Sequence, residues 1–140
     1  MSTIYLETSA LVHWLLGQSR GEQVRQAVTR AQRVVTSELT FVETERVLTR
    51  SQETGTLREG DARKLRGLLR KAGLAWARMA VSSNVLDRAK RSFPLEPVRT
   101  LDAIHLATAL EFASVYPDIR VLSDDRRIIE NAEALGIAEN

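Results

Sequence analysis

The chain has 140 residues, 44% of them hydrophobic, with 20 Lys and Arg against 18 Asp and Glu and no cysteine. That length and apolar content suffice for one domain with its own core, and the missing cysteine excludes disulfide scaffolds, thiolate zinc sites and cysteine nucleophiles. A net charge of +2 does not demand a polyanionic partner, although 17 of the 20 cations are arginine, whose planar fork suits phosphate and carboxylate.

Residues 3–6 form a short apolar, partly β-branched run that predicts a first strand. Glu7 follows, and Thr8 and Ser9 supply cap residues for a helix over 10–16. Gly17 and Gly21 bracket a break before a helical spacing over 22–31. Val34 to Thr36 predicts a second strand, and Ser37 caps a helix that carries Leu39, Val42, Glu43, Arg46, Val47 and Arg50. A turn centred on Gly55 precedes an amphipathic helix over 58–72, ended by Gly73. A third strand is predicted over 76–81, and Ser82 or Ser83 caps a helix over 84–93. Pro94 and Pro97 confine the next segment to loop, and Thr100 opens an apolar helix over 101–112. A fourth strand over 119–122 ends at Ser123-Asp124-Asp125, a last helix runs over 126–135 to Gly136, and Ile137-Ala138 offers a terminal strand.

Short strands alternating with helices, with no linker or repeat, predict a single α/β domain over 1–140 with a parallel sheet of four or five strands flanked by helices. No stretch approaches the roughly 18 apolar residues of a membrane helix, and no basic-then-apolar leader is present, so a soluble cytoplasmic protein is expected. In parallel α/β sheets the ligand crevice lies beyond the carboxyl ends of the strands. Glu7 directly follows strand one, Asp124 and Asp125 follow the fourth, Glu43 lies on the helix after strand two, and Asp102 is in the first turn of an apolar helix. Each acid also has a structural role open to it: Asp102 on the helix dipole, Glu43 paired with Arg46 at i, i+3, Asp124 or Asp125 as a cap. Together they describe an oxygen-rich cluster with no cysteine and little histidine, which suits Mg²⁺ or Mn²⁺ rather than zinc. A divalent cation held by carboxylates activates water and offsets the charge that develops when a phosphodiester is cleaved.

Four segments carry a resemblance: Ile4-Tyr5-Leu6-Glu7-Thr8-Ser9-Ala10-Leu11, Val42-Glu43-Thr44-Glu45-Arg46, Leu101-Asp102-Ala103-Ile104-His105-Leu106-Ala107 and Val121-Leu122-Ser123-Asp124-Asp125-Arg126-Arg127. In this order and spacing they resemble the successive motifs of PIN-domain proteins, in particular the VapC-type toxins of bacterial and archaeal toxin–antitoxin pairs. The resemblance implies a Mg²⁺- or Mn²⁺-dependent endoribonuclease with its metal on Glu7, Glu43, Asp102 and Asp125, and Asp124 as a secondary candidate acting through water. It also implies an RNA substrate, a small antitoxin partner and a homodimer. The departure is Glu7, where the family usually has aspartate; the extra methylene moves the carboxylate outward, and Mg²⁺ tolerates misplaced ligands poorly. The alternative is therefore a weakened PIN-like module that binds RNA or a protein without cutting.

Around the acids, Thr8 and Ser9 either cap their helix or place hydroxyls near the reacting water, with capping preferred, and Ser123 matches the family's hydroxyl before the last acid. Arg46, Arg126 and Arg127 are candidates for holding substrate phosphate. His105, one turn past Asp102, reads as a packed, hydrogen-bonded core residue, and Trp14, Trp76, Phe41 and Phe112 as packing, or in part as a partner groove, rather than base-stacking platforms.

Overall fold

The structure, a computed structural model, describes residues 2–139. Its strands are β1 (Thr3–Leu6), β2 (Arg33–Ser37), β3 (Ala77–Met79) and β4 (Ile119–Leu122). Its helices are α1 (Thr8–Leu16), α2 (Gly21–Arg30), α3 (Glu38–Glu53), α4 (Glu59–Gly73), α5 (Ser83–Ala89), α6 (Thr100–Ala113) and α7 (Arg126–Ala134). All strand pairings are parallel in the order β3-β2-β1-β4. The α/β sheet flanked by helices is the expected class.

Alternation along the strands sends neighbouring residues to opposite faces, so the sheet sits between two apolar layers. On one face Tyr5, Val35, Ile119 and Val121 pack with Leu106, Phe112 and Ile128 of α6 and α7. On the other, Leu6, Val34 and Leu122 pack with Leu11, Val24 and Leu69 of α1, α2 and α4. Trp76 stacks obliquely with Trp14 and Phe41, their ring centroids 6.2 and 6.1 Å apart, and Phe112 meets Tyr5 at 6.4 Å, so the aromatics pack as expected.

Several element ends differ from expectation. The third strand is only Ala77–Met79 and lies at the sheet edge. α5 stops at Ala89 rather than 93, because Phe93 precedes Pro94, which disfavours the helical region, and its ring is buried in the core instead. Ile137-Ala138 contributes a single parallel bridge, Val121 to Ala138, and no strand.

β1 lies between β2 and β4, and the chain leaves it towards β2 while β4 pairs on the other side. The carboxyl ends of β1 and β4 therefore form the point where the winding reverses, the position at which open parallel sheets form a crevice. Glu7 and Ser123-Asp124-Asp125 leave the sheet there.

Candidate active site

The β1–β4 ladder runs one residue past the strands: the Glu7 amide donates to the Leu122 carbonyl at 3.0 Å. Glu7 then occupies the N-cap of α1 in extended conformation, and its Oε2 accepts from the Ser9 amide at 3.1 Å. This corrects the expectation that Thr8 or Ser9 caps the helix. The glutamate already stands one residue before the first turn, and its carboxylate also complements the helix dipole. Freed from capping, the Ser9 and Ser123 hydroxyls both donate to Glu7 Oε1 at 2.5 Å. Ser123 Oγ accepts in turn from the Asp125 amide at 3.0 Å, which ties the β4 turn to Glu7. The Glu7 side chain is thus buried, 5% exposed, with both oxygens hydrogen-bonded.

Glu43 reaches the same edge from the second turn of α3, whose N-cap is Ser37 as expected. Its Oε1 accepts from Thr8 Oγ1 at 2.6 Å and from His105 Nε2 at 2.5 Å. His105, 1% exposed on α6, meets the Tyr5 hydroxyl through Nδ1 at 2.8 Å. With Nε2–H directed at a carboxylate, a neutral imidazole accepts at Nδ1, so the Tyr5 hydroxyl donates there and a chain runs Tyr5→His105→Glu43. Burial alone would raise the Glu43 carboxyl; the hydrogen bonds it accepts from His105 and the Thr8 hydroxyl outweigh it and hold the group below the usual carboxylate range. Burial, with the Glu7 charge nearby, pushes the Tyr5 hydroxyl well above its ordinary value, so it stays a proton donor. His105 is the packed, hydrogen-bonded residue expected, and it also orients Glu43; Arg46, the alternative partner, is exposed and makes no ion pair with it.

Asp102 and Asp125 are joined by a residue that the sequence reasoning passed over. Arg99 Nε donates to Asp102 Oδ2 at 3.2 Å, and its Nη2 stands 3.5 Å from Asp125 Oδ2. The i, i+3 spacing of Arg99 and Asp102 across a helix start was the available signal. Asp125 also caps α7, accepting from the Arg127 amide at 2.9 Å, so its structural role as a cap is realised alongside its place at the edge.

Asp124 is turned away from this group: Oδ2 bonds His13 Nδ1 and Oδ1 bonds Arg20 Nε, each at 2.6 Å. These three residues and Ser123 line a cavity of about 510 Å³ beside the acidic edge, whereas Glu43, Arg99 and Asp102 line a cavity of about 340 Å³ on it. Nothing local in the sequence announces the His13–Asp124–Arg20 contact, whose members lie 111 and 104 residues apart. Arg126 is exposed and reaches only Glu130, at 3.5 Å, and Arg127 is exposed.

The structure thus brings Glu7, Glu43, Asp102 and Asp125 to one sheet edge, linked through Thr8, Ser123, His105 and Arg99. Among the described residues no three Asp, Glu or His side chains stand close enough to enclose a cation as they are placed. The donor set still fits a hard divalent ion in kind: it is all carboxylate oxygen, and a cation, the Arg99 guanidinium, already bridges two of its members.

The PIN domain family model matches residues 4–134. The chain is 33% identical over 139 residues to Ribonuclease VapC46 of Mycobacterium tuberculosis, covering 99% of this chain and 96% of that protein. It is 43% identical over 54 residues to Ribonuclease VapC35 of the same species, 39% of this chain and 40% of that one. Among solved structures, Mycobacterium tuberculosis VapC20, a Sarcin-Ricin loop cleaving toxin, has a TM-score of 0.69 at 16% identity over 98% of both chains. A toxin–antitoxin complex from Klebsiella pneumoniae gives 0.62 at 16% identity, over 98% of this chain and 96% of that one. A parallel α/β sheet with acids gathered at its switch point, matched by that family model over nearly its whole length, places the chain in the PIN-domain family. Within the family its full-length likeness is to a VapC.

Proposed function

We propose that this protein is a Mg²⁺- or Mn²⁺-dependent endoribonuclease, the toxin of a VapBC-type pair, with Glu7, Glu43, Asp102 and Asp125 as its metal and catalytic residues. The observation that carries the reading is the convergence of these four acids on the β1–β4 switch point of a PIN fold. The full-length likeness to a ribonuclease supports RNA as substrate, and the likeness in fold to a toxin–antitoxin complex supports a small antitoxin partner. On the same family grounds we assign a homodimer acting in the cytoplasm.

Glu7, Glu43, Asp102 and Asp125 would hold the divalent cation, which would supply activation of water and an offset to the charge that develops on the phosphodiester. The chain's own residues prepare that site. His105 and Thr8 keep Glu43 ionised and fix its direction, Ser9 and Ser123 fix Glu7, and Asp125 is held at the N-terminus of α7. Arg99, Arg126 and Arg127 supply positive charge at the same edge for substrate phosphate.

A second reading is favoured by one observation: both oxygens of Glu7 are committed to Ser9 and Ser123. In that reading the chain is a PIN module that binds RNA or a protein without cutting it. RNA cleavage by the native chain and by Glu7→Asp with Mn²⁺ separates the two. Cleavage by both supports the nuclease, and cleavage by neither supports the module.

A further inference from the structure

Arg99 stands at the mouth of the acidic edge, immediately before α6, with its side chain 66% exposed and its guanidinium shared between Asp102 and Asp125. The two acids come from different elements, α6 and the turn after β4, so one planar fork joins parts of the chain that the fold only brings near each other. The other two acids have different partners: hydroxyls and an amide for Glu7, His105 and Thr8 for Glu43. Asp102 and Asp125 are thus the members whose charge is met by a cation, and that cation is a side chain of the same protein.

We infer that Arg99 is an internal counter-cation, occupying the position between Asp102 and Asp125 that a divalent ion takes, so that metal binds in competition with it. The inference rests on the proposed metal role of those acids. Its physical basis is that two neighbouring carboxylates repel one another unless a positive charge lies between them. A guanidinium on an exposed, flexible stem supplies that charge and withdraws easily, because exposed ion pairs are weak and screened. Arg99 thereby lowers metal affinity while it steadies the metal-free protein. Removing it has opposite signs on the two properties, whereas loss of a merely structural contact would weaken both.

Mn²⁺ titration without RNA, followed by the electron paramagnetic resonance of free Mn²⁺ and by thermal unfolding, tests this on the native chain, Arg99→Ala, Arg99→Lys and Asp102→Asn. Arg99→Ala is expected to bind Mn²⁺ about three- to tenfold more tightly, as losing competing exposed ion pairs predicts, with a lower Tm in chelator and a larger rise on adding Mn²⁺. Arg99→Lys, which keeps the charge without the fork, falls between. If Arg99→Ala binds Mn²⁺ no more tightly than the native chain while Asp102→Asn abolishes binding, the metal site stands and the competition is refuted. If the native chain and Arg99→Ala bind no more Mn²⁺ than Asp102→Asn, the metal reading falls and this inference with it.

Discussion

Glu43 is ionised in a place where burial opposes its charge, and the neighbours that decide the outcome are His105, Thr8 and, one step further, Tyr5. The Tyr5 hydroxyl fills Nδ1 of a His105 that is nearly inaccessible to water, so Tyr5→Phe leaves a buried acceptor unpaired. A stability loss of about 1–3 kcal/mol follows, read from the midpoint of denaturant unfolding, and an unchanged midpoint would show that the Tyr5–His105 bond contributes nothing. The acids themselves were legible in the sequence because each directly follows a strand or interrupts an apolar helix. Their partners were not. Tyr5 and His105 lie 100 residues apart and His105 and Glu43 lie 62 apart, and periodicity carries no information across such separations. The cap of α1 was misread for a local reason: Thr8 and Ser9 are residue types that commonly cap helices, and only the observed backbone shows that Glu7 before them is the N-cap.

The helices have ends set by contacts as much as by propensity, and α4 shows both effects within two turns. A methyl group at Gly73 would lie 2.8 Å from the Phe41 ring and 3.2 Å from the Arg78 guanidinium, whereas one at Gly67 meets nothing within 4 Å. Gly67→Ala should therefore stabilise the protein by about 1 kcal/mol through helix propensity alone. Gly73→Ala should destabilise it by about 1–3 kcal/mol, because the Phe41–Trp76 stack has to move. Thermal unfolding of the pair decides the matter: equal and positive shifts in Tm would mean that the α3–α4 approach is looser than these distances. The sequence identified Gly73 as a helix stop, while the structure includes it as the last residue of α4 and gives it a packing role. Element existence and order were readable from strand and helix periodicity. The end of α5 was not, since the proline after Phe93 set the expected end at 93, four residues past Ala89, and the single bridge at Ala138 depends on Ile137 folding back beside β4, which no local pattern announces.

At the scale of the whole molecule, 20 cations against 18 acids look almost neutral. With Glu7, Glu43, Asp102 and Asp125 gathered at one edge and offset there, the rest of the protein carries a formal charge of +6, nearly all of it on arginine. RNA binding should accordingly weaken as salt rises, by a slope of about −0.7 in log K for each phosphate contact with a single strand. Fluorescence anisotropy over a salt series, with Asp102→Asn used to prevent cleavage, should show that slope. An affinity independent of salt would mean that the arginine-rich surface does not meet RNA. That the crevice lies beyond the carboxyl ends of the strands was readable from the alternation of strands and helices, but which side of it each carboxylate faces was not. Asp124 and Asp125 are adjacent in sequence and have different partners, His13 and Arg20 for the one and Arg99 for the other.

The acids at the β1–β4 switch point are proposed to hold a divalent ion and cut RNA. Cleavage of a labelled RNA by the native chain and by Asp102→Asn, with Mn²⁺ and with chelator, tests it most directly. Cleavage by the native chain with Mn²⁺ only, reduced at least about a hundredfold by the substitution, is predicted. Cleavage that survives chelation or Asp102→Asn, or no cleavage by the native chain under any condition, would contradict it.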